Sequence, residues 1–180
     1  MLSMRLWHYE LNISLGPMWA AFDERGRLRR LEYGSLDPRA TMPVAPKSQR
    51  EVHRFLLRQL EAYFEGTLRT FTVPLDPRGN EFQERVWDEV RKIPYGRTLA
   101  DDKLVQRLGG EAARGDVEGA LNDNPIQILL PCHRVVRADG SFPGYGPGSE
   151  VQKALVTHES GVRHPFGTWI PISPREPHAM

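Results

Sequence analysis

The spacing of apolar residues changes once along this chain, and that change limits the folds open to it. Up to residue 34 the pattern is that of strands: Ile13 to Ala21 is an apolar run, Asp23-Glu24-Arg25-Gly26 reads as a turn, and Leu28 to Tyr33 alternates loosely. Residues 35–48 hold three prolines and no periodicity, and read as a loop. From there the repeat is helical. Val52, Phe55, Leu56, Leu60, Tyr63 and Phe64 recur at helical spacing until Gly66 stops them. An extended stretch with Pro74 and Pro77, residues 67–79, is the best candidate linker. Beyond it lie mainly short helices. Asn80 with Gln83 three residues on forms a capping box for a helix carrying Phe82, Val86, Val90 and Ile93. Thr98 and Asp101 frame another helix, with Leu104, Val105 and Leu108 inward. Gly109-Gly110 turns the chain into a further helix with Ala113, Val117, Ala120 and Leu121 on one side. Two short helices joined by such a turn suggest a helix-turn-helix. Ile126 to Leu130 then reads as strand-like, and a last helix spans roughly Glu150 to Glu159.

A chain of 180 residues is one large domain or two small ones. The linker favours two: an N-terminal α/β unit over 1–75 and a C-terminal unit over 76–163. Residues 164–180, with four prolines, read as an irregular tail. Apolar residues at 39% and charged residues at 26% exclude disorder throughout. No run approaches the 18 apolar residues of a membrane span, and the first ten residues lack the apolar core of a signal peptide. The one cysteine, Cys132, excludes an intramolecular disulfide and a cysteine-only zinc site. A cytoplasmic monomer is the expected state. Residues 76–165 carry 12 basic and 14 acidic side chains, a balance of −2. A domain that wraps DNA with its whole face is usually clearly basic, and this one is not.

Cys132 follows a proline and an apolar run and precedes His133. A free thiol is only a few per cent thiolate at neutral pH. An imidazole can take its proton, and a carboxylate can orient and polarise that imidazole. Neighbouring side chains on an extended backbone point apart, so His133 reaches Cys132 only at a bend or through a water. By itself the pair also suits a buried structural cysteine beside a surface histidine.

The surroundings of Cys132 are more specific. Asn124-Pro125, then Pro131-Cys132-His133-Arg134-Val135-Val136 and a Gly144-Tyr145-Gly146 loop, closely resemble the active-site segment of the O6-alkylguanine-DNA alkyltransferases, or methylated-DNA–protein-cysteine methyltransferases. Phe82-Gln83, Val86-Trp87, Ile93-Pro94-Tyr95-Gly96, Thr98 and His158-Glu159 extend the likeness across residues 80–160, and Leu15-Gly16-Pro17 and Tyr63-Phe64-Glu65-Gly66 extend it loosely over 10–75. The resemblance implies a fold: an N-terminal ribonuclease-H-like α/β domain, and a C-terminal, mainly helical, winged-helix-like domain with a helix-turn-helix.

It also implies roles. Cys132 is the expected alkyl acceptor, His133 its base through a water, and Glu159 the carboxylate that holds His133. Asn124 is expected to act as a hinge between the DNA-reading helix and the cysteine segment. Backbone carbonyls at Cys132 and Val135 would read the exocyclic amine of the extruded base, and Tyr145 would pack on it. The thioether is not hydrolysed, so each molecule would react once. The partner implied is double-stranded DNA containing O6-alkylguanine, entered from the minor groove, with no metal, nucleotide or redox cofactor.

The chain departs from the family pattern on its DNA-handling surface. Ala100-Asp101 stands where Ser-Tyr is usual. Asp101 cannot donate a proton when ionised and would repel a phosphate, although an acid there also suits a helix N-terminus. Counting back from Asn124-Pro125 puts Gly115 where the family has its DNA-reading arginine, with Arg114 one residue early, about 100° around a helix. Asp116 and Glu118 follow where small neutral residues are usual. Two alternatives to alkyl transfer on duplex DNA therefore fit the same letters. One is a non-enzymatic lesion sensor; the other is a relative that reacts only with free base or small alkylators.

Overall fold

Local turn chemistry builds the first layer. The computed structural model describes residues 6–35, 47–110 and 113–161. Strands β1 (Trp7–Ile13), β2 (Gly16–Phe22) and β3 (Leu28–Tyr33) form an antiparallel meander in that order. Gly26 turns β2 into β3 at φ 73°, and Asp23 caps that turn by accepting from the Arg25 and Arg27 amides at 2.9 Å each. One face of the sheet, with Leu11, Met18, Ala20, Phe22, Leu28 and Leu31, is buried.

Helix α1 (Lys47–Phe64) lies against β1. Its buried stripe is Leu56, Leu60 and Tyr63, at the four- and three-residue steps of one helix face. Phe55, grouped by spacing with the inward residues, is 40% exposed: one residue before Leu56, it is rotated off the stripe.

Residues 67–79 run extended but are tied down along their length. Leu28 donates to the Pro74 carbonyl and accepts from the Asp76 amide, extending the β3 edge. The Asp76 carboxylate meets Arg27, Arg29 and Arg78. Gln59 of α1 bonds Thr72 twice, at 2.6 and 2.9 Å.

Helix α2 (Glu81–Arg91) opens on the expected Asn80–Gln83 capping box, both reciprocal bonds being 2.9 Å. Its Trp87 donates to the Ala120 carbonyl of helix α4 (Arg114–Asn122) at 2.8 Å. Helix α3 (Asp101–Arg107) precedes α4 across the Gly109–Gly110 turn, where both glycines hold positive φ. Strand β4 (Leu99–Ala100) pairs in parallel with β5 (Val135–Val136), and helix α5 (Ser149–Glu159) closes the described chain. The described residues thus form an α/β structure of five α-helices and two small sheets. The proline-rich tail of 164–180 lies outside them.

One expectation fails. Residues 126–130 form successive turns rather than a strand. Leu129 bonds back to Gln127 and Leu130 to Ile126, while Ile128 sits at φ 71°. Ile126, Ile128, Leu129 and Leu130 are all buried, so the apolar run reflects a loop packed into the core and not an alternating face. Only its start joins the sheet, through the Leu31–Ile126 bridge. That bridge delivers the segment leading to Cys132 directly from the edge of β3.

Candidate active site

The turns of 126–130 end in a single 3₁₀ turn, Cys132–Arg134, which supplies the bend that a Cys-His pair requires. Asn124, just after α4, holds this segment from inside. Its carbonyl oxygen accepts from the Ile126 amide at 2.9 Å, and its amide nitrogen donates to the Leu130 carbonyl at 2.8 Å and to the Cys132 sulfur at 3.1 Å. The hinge expected of Asn124 therefore also touches the reacting atom.

Cys132 is 2% exposed. Burial pushes its thiol up to about 12, against the opposing pull of the Asn124 amide, which favours the thiolate. The resting residue is thus a neutral thiol. Reactivity depends on removing the proton during the reaction, not on a standing thiolate.

His133 Nε2 lies 2.8 Å from Glu159 Oε1, at the end of α5. Burial pulls the imidazole below its ordinary value, although Glu159 resists this, so the ring is neutral at pH 7. A neutral ring that donates Nε2–H to a carboxylate leaves Nδ1 as an acceptor. Glu159 is buried yet ionised. Burial favours its neutral form, but bonds from His133 and Arg134 outweigh that and hold the carboxyl well below the usual range. Arg134 donates Nε to Oε2 at 2.8 Å and Nη2 to Oε1 at 3.0 Å, with Nη1 on the Ile93 carbonyl. The Gly96 amide at 3.2 Å and the Tyr63 hydroxyl at 2.7 Å complete the shell.

Sequence reasoning named Cys132, His133, Asn124 and Glu159 as candidates; the fold sets Asn124 against the Cys132 sulfur and Glu159 against His133. It missed Arg134, whose place inside the Pro-Cys-His-Arg string was the available signal, and it missed Tyr63 and Gln152. Gln152 is fully buried on α5 and bonds the His133 and Val135 carbonyls at 3.2 and 2.6 Å, while accepting from the Gly144 amide at 2.6 Å. The Val135 carbonyl, a candidate reader of the base, already takes one donor and keeps a second lone pair.

Tyr145 lies in the glycine loop, 3% exposed, with a hydroxyl that has no partner among the described residues. Burial, then the charges of Glu118 and Asp101, push that hydroxyl up to about 12. The loop geometry requires its glycine: Gly144 is at φ 84°, and a Cβ there would sit 2.5 Å from the Ser149 amide nitrogen.

On the outer side, Arg114 and Gly115 open α4, both exposed. Arg114 of α4 pairs with Asp101 of α3 at 3.2 Å, and Arg137 pairs with Glu118 at 3.2 Å. Asp101 is itself 1% exposed, and one of its oxygens has no partner among the described residues. Two of the three acids that depart from the family pattern therefore sit beside an arginine.

A buried thiol next in sequence to a histidine–carboxylate pair suits a protein that uses a cysteine as the acceptor in group transfer. Comparison with known proteins agrees. Residues 81–161 match the family described as 6-O-methylguanine DNA methyltransferase, DNA binding domain. A methylated-DNA–protein-cysteine methyltransferase of Methanosarcina acetivorans is 38% identical over 145 residues, covering 81% of this chain and 92% of that protein. The protein of the same name from Mycobacterium tuberculosis is 45% identical over 101 residues, 56% of this chain and 61% of its own. Among solved structures, Mycobacterium tuberculosis OGT in complex with DNA superposes with a TM-score of 0.75 at 34% identity, covering 86% of this chain and 92% of that one. The chain belongs to the methylated-DNA–protein-cysteine methyltransferase family.

Proposed function

We propose that the protein repairs DNA by transferring the alkyl group of O6-alkylguanine to Cys132, once per molecule and irreversibly. The carrying observation is two buried contacts on neighbouring residues: the Asn124 amide on Cys132 Sγ, and His133 held by Glu159. As the reaction proceeds, His133 takes the thiol proton through a water, and the imidazolium that forms is stabilised by a carboxylate already ionised and fixed. Sulfur attacks the alkyl carbon, the carbon–O6 bond breaks, and the electron pair leaves with the guanine oxygen, which recovers a proton. A thioether and an unmodified guanine result. A thioether is not hydrolysed under these conditions, so the sulfur is consumed. The target carbon lies within a duplex, so the base must leave the stack first and lodge against Tyr145.

The same reading covers the scaffold and the partner. The meander with α1 supports a ribonuclease-H-like N-terminal unit, and α3–α4 with the β4–β5 pair supports a winged-helix-like C-terminal unit over 76–163. Double-stranded DNA is met by Arg114 and the face of α4 around Gly115, and the protein acts as a monomer. Among the described residues no helix is long and apolar enough to cross a membrane. A reading confined to free base or small alkylators draws on Asp101, Asp116 and Glu118, but the arginines beside Asp101 and Glu118 reduce the repulsion those acids offer to phosphate.

Incubation with an O6-benzylguanine oligonucleotide, and separately with free O6-benzylguanine, tests the proposal by intact mass. One benzyl group is expected on Cys132 and none on Cys132→Ser. No mass gain with either substrate overturns alkyl transfer. Gain with the free base alone selects the restricted reading.

A further inference from the structure

The carboxylate that holds His133 is held in turn by the other half of the chain. Tyr63, next to last in α1, is fully buried and donates its hydroxyl to Glu159 Oε1 at 2.7 Å. That same oxygen takes His133 at 2.8 Å and Arg134 Nη2 at 3.0 Å. The phenol ring is fixed by Phe64, Phe71, Tyr95 and His158, with centroids 5.0, 5.3, 5.9 and 5.1 Å away. The His158 ring donates to the Tyr63 backbone carbonyl at 2.7 Å. A phenylalanine would fill this site as well. A buried hydroxyl is costly unless it is bonded, and this one is spent on an oxygen shared with the base.

We infer that Tyr63 is a positioning residue for alkyl transfer: by competing for Glu159 Oε1 it sets how firmly the carboxylate holds the His133 imidazolium, so that the N-terminal helix tunes the basicity of a C-terminal residue. This rests on the alkyl-transfer reading for its consequence, though not for its direct measurement. The charged and titratable groups that act on His133 are Glu159 and His158 from α5 and Arg134 from its own turn, with Tyr63 from α1 reaching it through Glu159 and Cys132 next to it in sequence. Tyr95, before β4, lies beyond with the Arg69 and Arg134 guanidiniums over its ring at 5.7 and 5.8 Å. Among these, Tyr63 is the neutral side chain that donates to Glu159, so its hydroxyl can be removed without changing a charge.

The sign follows. Losing the hydroxyl leaves more of Oε1 to His133, stabilises the imidazolium and raises the pH at which the base becomes protonated. A stronger donor does the reverse. Two variants of opposite sign therefore test the idea: Tyr63→Phe, and 3,5-difluorotyrosine at position 63, which keeps ring and hydroxyl but donates more strongly. His133 is titrated by NMR in the unreacted full-length protein, and the rate of benzyl uptake from free O6-benzylguanine is followed from pH 5 to 8. Tyr63→Phe is expected to move the His133 midpoint and the acid limb of the rate upward by about half a unit, roughly threefold in rate on that limb, and the fluorinated protein to move both downward. Midpoints unchanged in both variants, or displaced in the same direction, overturn the inference; a purely structural role lowers thermal stability and moves neither. If the wild-type protein takes up no benzyl group, the alkyl-transfer reading fails, and the NMR midpoints still decide the tuning.

Discussion

At the residue scale, the tension is between burial and chemistry. Cys132 is kept neutral by the same desolvation that keeps competing electrophiles away. The consequence for stability can be signed. In the unfolded chain the thiol ionises near its ordinary value of 9.0, while in the folded protein it waits until about 12. Between those values the unfolded state binds fewer protons, so stability is full below pH 9 and falls as pH rises, by about 1.4 kcal/mol per unit for this one group. Cys132→Ser removes that slope. The difference in urea unfolding free energy between wild type and Cys132→Ser is expected to shift steadily toward the variant from pH 9 to 11. A difference independent of pH over that range refutes the buried-thiol assignment. On the acid side His133 and Glu159 act together. Both have folded-state values held below their unfolded ones, so both contribute stability above those unfolded values and lose it as pH falls. The candidates Asn124, Cys132, His133 and Glu159 were legible through the family resemblance, three of them within residues 124–133 and the fourth in a compact His-Glu pair. Tyr63 was not, because a hydrogen bond between residues 96 apart leaves no local periodicity to read.

At the element scale, turn chemistry and capping carried most of what the letters reveal. The Asn80 box, the Gly109–Gly110 turn and the apolar stripe of α4 place α2, α3 and α4 within a residue or two. The run 126–130 misled because buried loops and buried strands share a composition, and the backbone bonds that distinguish them are set by what lies opposite. The helix α4 makes a prediction of its own. A Cβ at Gly115 would meet nothing within 4 Å, so a long side chain is accommodated there without distorting the helix. Asp116 is exposed beside it. The variant Gly115→Arg/Asp116→Ala therefore adds two units of positive charge to the open face that the proposal aims at DNA. Duplex affinity at 50 mM salt is expected to rise roughly tenfold or more, and the salt dependence to steepen by up to about two. Melting temperature should hold or fall slightly, since Gly115 lies in the first turn of α4, where an added cation and the loss of the Asp116 carboxylate both oppose the helix dipole. Equal binding by variant and wild type, with equal salt slopes, would show that this face does not meet the phosphates.

At the scale of the whole molecule, the two halves separated in the sequence by the 67–79 linker share a continuous buried core, from Leu11 and Leu31 through Tyr63 to Cys132 and Leu155. Polar ties run beside it. The β3 backbone bonds Pro74, Asp76, Pro125 and Gln127, and Gln127 also accepts from the Tyr33 amide through its side chain. The active-site segment is thus strapped to an N-terminal strand, and its carboxylate to an N-terminal helix. Few of these contacts could survive separation of the halves, and a two-part molecule so joined should unfold in one step. Tryptophans report on each part: Trp7 and Trp19 lie in the sheet and Trp87 in α2. Urea transitions followed by far-ultraviolet circular dichroism, and by fluorescence of variants retaining only Trp19 or only Trp87, are expected to coincide within each variant and to share one slope. A fragment beginning at residue 76 should take up no benzyl group, because its 125–127 segment, which leads into Cys132, lacks the strand that receives it. Two separate transitions, or full reactivity in the fragment, would show that the C-terminal half builds the thiol site unaided, and would confine the N-terminal half to a role outside the chemistry.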